Sequence, residues 1–148
     1  MTHVCDVMTR EPVAVSPADS VQQAARLMDE LNVGALPVCE GDVLVGIVTD
    51  RDITVRATAA GLSPGNTSVD LVMTESVRCC HASQSAADVL ALMSSVQIRR
   101  MPVVDDAQRL VGMLALGDLA ARHQEGVAEA LERISTPSQP DRTWAAAA

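Results

Sequence analysis

The chain has 148 residues, 48% of them hydrophobic, and its 11 basic and 19 acidic side chains leave a formal charge of −8. That apolar fraction supports a packed core and excludes disorder throughout; with one Trp and no Phe or Tyr, the core has to be built from Val, Leu, Ile, Met and Ala. Every basic residue is arginine, and the acidic excess removes the broad positive surface that duplex DNA or an anionic membrane needs, so neither is expected as a partner.

The N-terminus carries no basic segment leading into an apolar one, and the longest apolar runs, such as Leu44 to Val48, are strand-sized. The expected location is the cytoplasm, where Cys5, Cys39, Cys79 and Cys80 remain thiols. In chain order, Val13 to Val15 reads as a short strand. Pro17 to Ser20 reads as a turn and helix cap, followed by a helix with Val21, Ala24, Ala25, Met28 and Leu31 on one face. Ala35 to Cys39 and Val43 to Val48, separated by Glu40-Gly-Asp42, read as a hairpin, and a helix is expected over Asp50 to Ala60. Gly61 to Gly65 is a linker, with a short helix expected between Ser68 and Met73.

The same order then recurs. Val7-Met-Thr9 returns as Val72-Met-Thr74, Leu27-Met28 as Leu92-Met93 and Pro37-Val38 as Pro102-Val103, all 65 residues on. One residue inserted near Asp105 to Gln108 shifts the offset to 66, which matches Leu44-Val-Gly46 with Leu110-Val-Gly112 and Asp52 with Asp118. The second copy has a helix from Ser85 with Ala86, Val89, Leu90, Met93 and Val96, strands over Met101 to Val104 and Leu110 to Leu114, and a helix over Leu116 to Ile134. The expected units are residues 1–62 and 63–134, with a mobile tail over 135–148. A copy of about sixty residues is marginal alone, so the two are expected to pack about a pseudo-twofold axis. Met8, Met28, Met73 and Met93 recur at matching positions and read as core.

Three motifs in the same order, twice, carry a family resemblance: Asp6-Val-Met-Thr9 with Leu71-Val-Met-Thr74, Val33-Gly-Ala-Leu-Pro-Val38 with Ile98-Arg-Arg-Met-Pro-Val103, and Gly46-Ile-Val-Thr-Asp-Arg-Asp52 with Gly112-Met-Leu-Ala-Leu-Gly-Asp118. Over roughly residues 4 to 125 the chain resembles a tandem pair of CBS (cystathionine-beta-synthase) domains. The resemblance implies an α/β (α+β) fold of two β-α-β-β-α repeats in a Bateman-type module. It also implies ligand clefts between the copies, homodimerisation, and regulatory binding of an adenine nucleotide or S-adenosyl compound, with no required cofactor. A stand-alone, non-catalytic pair acting on a partner protein is expected, since no room is left for a catalytic domain.

By that resemblance Thr49 and Asp52 share a first cleft with Ile98, Arg99 and Arg100. The short strand Val77, Arg78 and Cys79 supplies walls for an adenine ring, and Arg78 reads either as a ligand contact or as a surface residue. Thr49-x-x-Asp52 has two readings: phosphate and ribose contacts at a helix start, or a capping box worth roughly 1 kcal/mol with no ligand. Arg99 and Arg100 read either as bidentate phosphate contacts or as solvated surface charges. The second, weaker cleft brings Asp118 to Val33, Gly34 and Ala35; Ala115 there lacks the hydroxyl, so a capping box does not account for Asp118. Arg51 is expected to point away from the site, at the surface or in a dimer contact.

Cys79-Cys-His81 and His3-x-Cys5 invite a metal or thiol-sensing reading, but neighbouring residues on a strand face opposite ways and no zinc site is expected. No nucleophile elbow, phosphate loop or clustered histidines point to catalysis. A ligand-free scaffold, in which Thr49 and Asp52 only cap a helix, is the other alternative.

Overall fold

In the computed structural model, which describes residues 1–137, the repeat is visible first in its helix caps. Ser20 Oγ accepts from the Gln23 amide at 3.1 Å, and Gln23 Oε1 accepts from the Ser20 amide at 2.8 Å, which starts α2 (Val21–Leu31). Ser85 Oγ accepts from the Asp88 amide at 3.0 Å and starts α4 (Ala86–Val96). Both helices end on a left-handed residue, Asn32 and Gln97. Val21, Ala24 and Met28 are buried, but Ala25 and Leu31 of the expected face are exposed, because they lie at the margins of the stripe that meets the sheet.

Each copy then forms a hairpin, β2 (Ala35–Glu40) with β3 (Val43–Thr49) and β5 (Arg100–Val104) with β6 (Leu110–Ala115), each with an irregularity at the matching position, after Val38 and after Val103. The expected opening strand Val13 to Val15 reduces to one parallel bridge, Val15 to Val38; prolines at 12 and 17 flank it and donate nothing. Its counterpart in copy two is β4 (Cys80–His81), parallel to β5, and not Val77 to Cys79 as expected. Val15 and Cys80 occupy equivalent buried positions, so the register of burial and not the start of the apolar run decides where pairing occurs.

The two openings are exchanged, which the sequence boundaries 1–62 and 63–134 do not convey. α1 (Val4–Val7) buries Val4 and Val7 in the core of copy two, with Met93, Met101, Leu114 and Leu119. β1 (Thr9–Arg10) adds to the edge of β6. In return, Val69 and Val72 fill the core of copy one beside Val38 and Val48, and Thr74 bridges to Ile47. Two glycines permit this crossing: a Cβ on Gly112 would stand 2.5 Å from Met8 Sδ, and one on Gly46 2.8 Å from Met73 Sδ. Met8 and Met73 are thus partly buried against the glycines of the other copy, while Met28 and Met93 are buried.

The hairpins meet through a reciprocal pair of backbone bonds, Leu44 N to Gln108 O at 3.1 Å and Leu110 N to Asp42 O at 2.9 Å. These bonds relate the copies by a pseudo-twofold. Both closing helices depart from expectation. Asp50 to Ala60 is one α turn, α3 (Asp50–Asp52), running into a π-helical segment over Ile53–Thr58. Leu116 to Ile134 is broken into α5 (Leu116–Ala121) and α6 (Val127–Ser135) at the left-handed residues His123 and Gly126. The break folds α6 back onto α4, where Ala130 is buried. A 3-10 turn over Pro64–Asn66 closes the linker, and the short helix expected between Ser68 and Met73 is a 3-10 turn, Val69–Leu71. The expected tail lies outside the described residues from 138 onward, and Ser135 itself ends α6. Among the described residues no helix is long and apolar enough to cross a membrane.

Candidate functional site

The crossing of the openings leaves a cleft on each side of the pseudo-twofold. The first, of about 500 Å³, takes Thr49 from the end of β3 together with Ile98, Arg99 and Arg100 from copy two. Val77 and Arg78 complete its wall, so six of the eight residues expected there are brought together. Cys79 and Asp52 are not in its lining. Cys79 packs with Val77 and Leu110 against the small cluster of Cys39, Leu44 and Val104 between the hairpins.

Asp52 is turned into the protein. Its Oδ2 accepts from the Thr49 amide at 2.9 Å, Thr49 Oγ1 accepts from the Asp52 amide at 3.0 Å, and Asp52 Oδ1 lies 3.8 Å from Arg56 Nε. The capping box is therefore present. Arg56 in turn donates to the carbonyls of Val72 and Met73 at 3.2 and 3.3 Å, which anchors the segment that delivers Thr74 to the cleft. Thr49 Oγ1 uses a lone pair in the cap and keeps its hydrogen to donate into the cleft. Asp52→Ala should lower stability by about 1 kcal/mol through loss of the cap, measured as a shift of the urea midpoint at unchanged slope.

The second cleft, about 380 Å³, is lined by Asp118, Val33 and Ala35, with Glu11 and Leu31. Gly34 is absent from it: its carbonyl accepts from the Asp50 amide at 2.9 Å, and a Cβ there would stand 3.0 Å from Asp50 Oδ2. The expectation that capping does not account for Asp118 is corrected. Asp118 Oδ2 accepts from the Ala115 amide at 2.8 Å, the half of a capping box that needs no hydroxyl. Arg51 is exposed and lines neither cleft.

Sequence reasoning missed Thr74 and Ser76 in the first cleft and Glu11 in the second. Thr74 stood in a repeated motif, but its place depends on the exchanged openings, which no periodicity reports. The electrostatics of the two sites differ. Arg78, Arg99 and Arg100 are exposed, none is in an ion pair among the described residues, and no carboxylate lines the first cleft.

All four cysteines are free thiols, with Cys39 and Cys80 buried. Burial pushes the Cys80 thiol up from about 9.0 to about 12, with the neighbouring Cys79 adding to it, and burial followed by the charge of Asp42 raises Cys39. Neither ionises readily, so alkylation at pH 8 should label Cys5 and Cys79 in the native protein and reach Cys39 and Cys80 only on unfolding; mass spectrometry of the labelled chain reads this directly. The linked effect has a definite sign. Above about pH 9 the unfolded chain releases a Cys80 proton that the folded chain holds until about pH 12, so stability falls across that window and is unaffected below it. Among the described residues no group of three or more His, Cys, Asp or Glu is placed to hold a metal ion.

The profile of the CBS domain matches residues 4–57 and 69–125. Over 137 residues the chain is 45% identical to the CBS domain-containing protein YhcV of Bacillus subtilis, covering 91% of this chain and 96% of that one. A crystal structure of Hypoxic Response Protein I with two coordinated zinc ions is 34% identical, covers 81% of this chain and 98% of its own, and superposes with a TM-score of 0.74. A crystal structure of CBSX2 in complex with AMP is 28% identical, covers 83% and 96% respectively, and also gives a TM-score of 0.74.

Proposed function

The chain belongs to the CBS domain family, and from that premise we propose that it is a non-catalytic regulatory module that binds an adenosine-containing ligand in the first cleft. The observation that carries this reading is the cleft itself: about 500 Å³ between the copies, with three guanidiniums that have no ion-pair partner among the described residues, the Thr49 hydroxyl and an apolar wall of Val77, Ile98 and Val96. Guanidiniums suit phosphate oxygens through bidentate charge-assisted bonds, and the apolar wall suits a purine face. The AMP bound by CBSX2 supports the ligand class. Signalling follows by population shift: a ligand touching both copies favours one arrangement of them, and a second copy of the chain or a partner protein in the cytoplasm reads that arrangement.

Thermal unfolding against AMP, ADP, ATP, S-adenosylmethionine and the guanine nucleotides tests the class. A ligand at one hundred times its dissociation constant adds about 2.7 kcal/mol, several degrees for a chain of this size. Stabilisation by adenosine compounds is expected. An unchanged melting temperature with all of them overturns the reading and leaves the ligand-free scaffold, in which Thr49 and Asp52 only cap α3.

A further inference from the structure

The two clefts are related by the repeat, so most wall positions of one have a counterpart in the other, and the differences are concentrated in charge. Where the first cleft has Arg78, the second has Val13; where the first has Arg100, the second has Ala35, and Gly34, the counterpart of Arg99, stays out of its lining; where the first has Ser76, the second has Glu11. The closing aspartates differ as well. Asp52 is withdrawn from the first cleft and faces Arg56 at 3.8 Å, whereas Asp118 lines the second cleft and is in no ion pair among the described residues. Arg100 and its counterpart Ala35 line both clefts, so Arg100 is shared between them.

We infer that the chain takes a single anionic ligand, in the first cleft, and that the second cleft selects against negative charge through Glu11 and Asp118, accepting an adenosine derivative that is uncharged or cationic. This inference rests on the proposed function and specifies its ligands by charge. A phosphate entering the second cleft meets two carboxylates and has only Arg100 to offset them. Once the first cleft holds a phosphate, Arg100 is drawn to that side and the second cleft presents its acids alone. A neutral nucleoside avoids the repulsion, and the carboxylate oxygens can accept from its hydroxyls.

Equilibrium dialysis of the full chain with radiolabelled AMP, followed by adenosine added to the AMP-saturated protein, tests this. One AMP per chain is expected, with adenosine then binding without releasing it. The double substitution Glu11→Ser with Val13→Arg gives the second cleft the Ser and Arg of the first at two exposed positions, and should bind a second AMP at least about tenfold more tightly than the unmodified chain does. Two AMP molecules bound with equal affinity by the unmodified chain, or no gain in the double variant, overturns the inference and leaves the proposed function standing. No AMP bound at all overturns the inference, and the proposed function falls with it only if ADP, ATP and S-adenosylmethionine also fail to bind.

Discussion

Arg99→Ala should weaken AMP binding by about 10- to 150-fold, the loss of one charge-assisted contact worth roughly 1.5–3 kcal/mol. The same change should leave the melting temperature of the ligand-free protein within the range of a neutral surface substitution. Both halves come from one fact: the Arg99 side chain is exposed, stands in the first cleft and is in no ion pair among the described residues. Its backbone is occupied, since its carbonyl accepts from the Leu116 amide at 2.8 Å, and that bond survives replacement by alanine. Isothermal titration reads the first half and thermal unfolding the second. Loss of stability with no change in affinity would make Arg99 a structural residue and would remove the phosphate from this end of the cleft.

The second large effect concerns the architecture. Gly112→Ala and Gly46→Ala should each cost about 1–3 kcal/mol, because the added methyl meets more than a flexible chain end. At Gly112 it would stand 2.5 Å from Met8 Sδ and 3.0 Å from the Thr9 carbonyl oxygen; at Gly46, 2.8 Å from Met73 Sδ and 2.9 Å from the Thr74 carbonyl oxygen. The methionine can yield, but the backbone carbonyls belong to the segments that cross between the copies. Gly117→Ala is the control. Nothing lies within 4 Å of a Cβ there, and within α5 the change should stabilise by a few tenths to about 1 kcal/mol. If all three shift the urea midpoint alike, the glycines are serving backbone flexibility and not the close approach of the openings.

The repeat, the hairpins and the two capped helices were readable from spacing alone, because Ser20, Ser85 and the short apolar runs of β2, β3, β5 and β6 act locally. The exchanged openings were not, since Val4, Val7, Val69 and Val72 look the same whichever core receives them. The break between α5 and α6 had a signal in Gly126, but Leu116 and Leu119 before it and Val127, Ala130 and Ile134 after it keep helical spacing. At the site, Thr49 and Arg99 could be placed because the family pattern carries them across the pseudo-twofold. Asp52 could not, because a carboxylate that caps its own helix and one that reaches a ligand share the same four-residue spacing, and only Arg56 and the Thr49 amide show which way it turns. Glu11 and Ser76 went unnoticed for a related reason: they sit on the crossing segments, whose destination is a tertiary fact.

A crystal structure of the full chain with AMP tests the central claim most directly. The account predicts the phosphate against Arg99 and Arg100, within reach of the Thr49 hydroxyl, with the purine on Val77 and Ile98 and the second cleft free of AMP. AMP bound elsewhere on the molecule, or with its phosphate in the second cleft beside Glu11 and Asp118, would contradict it.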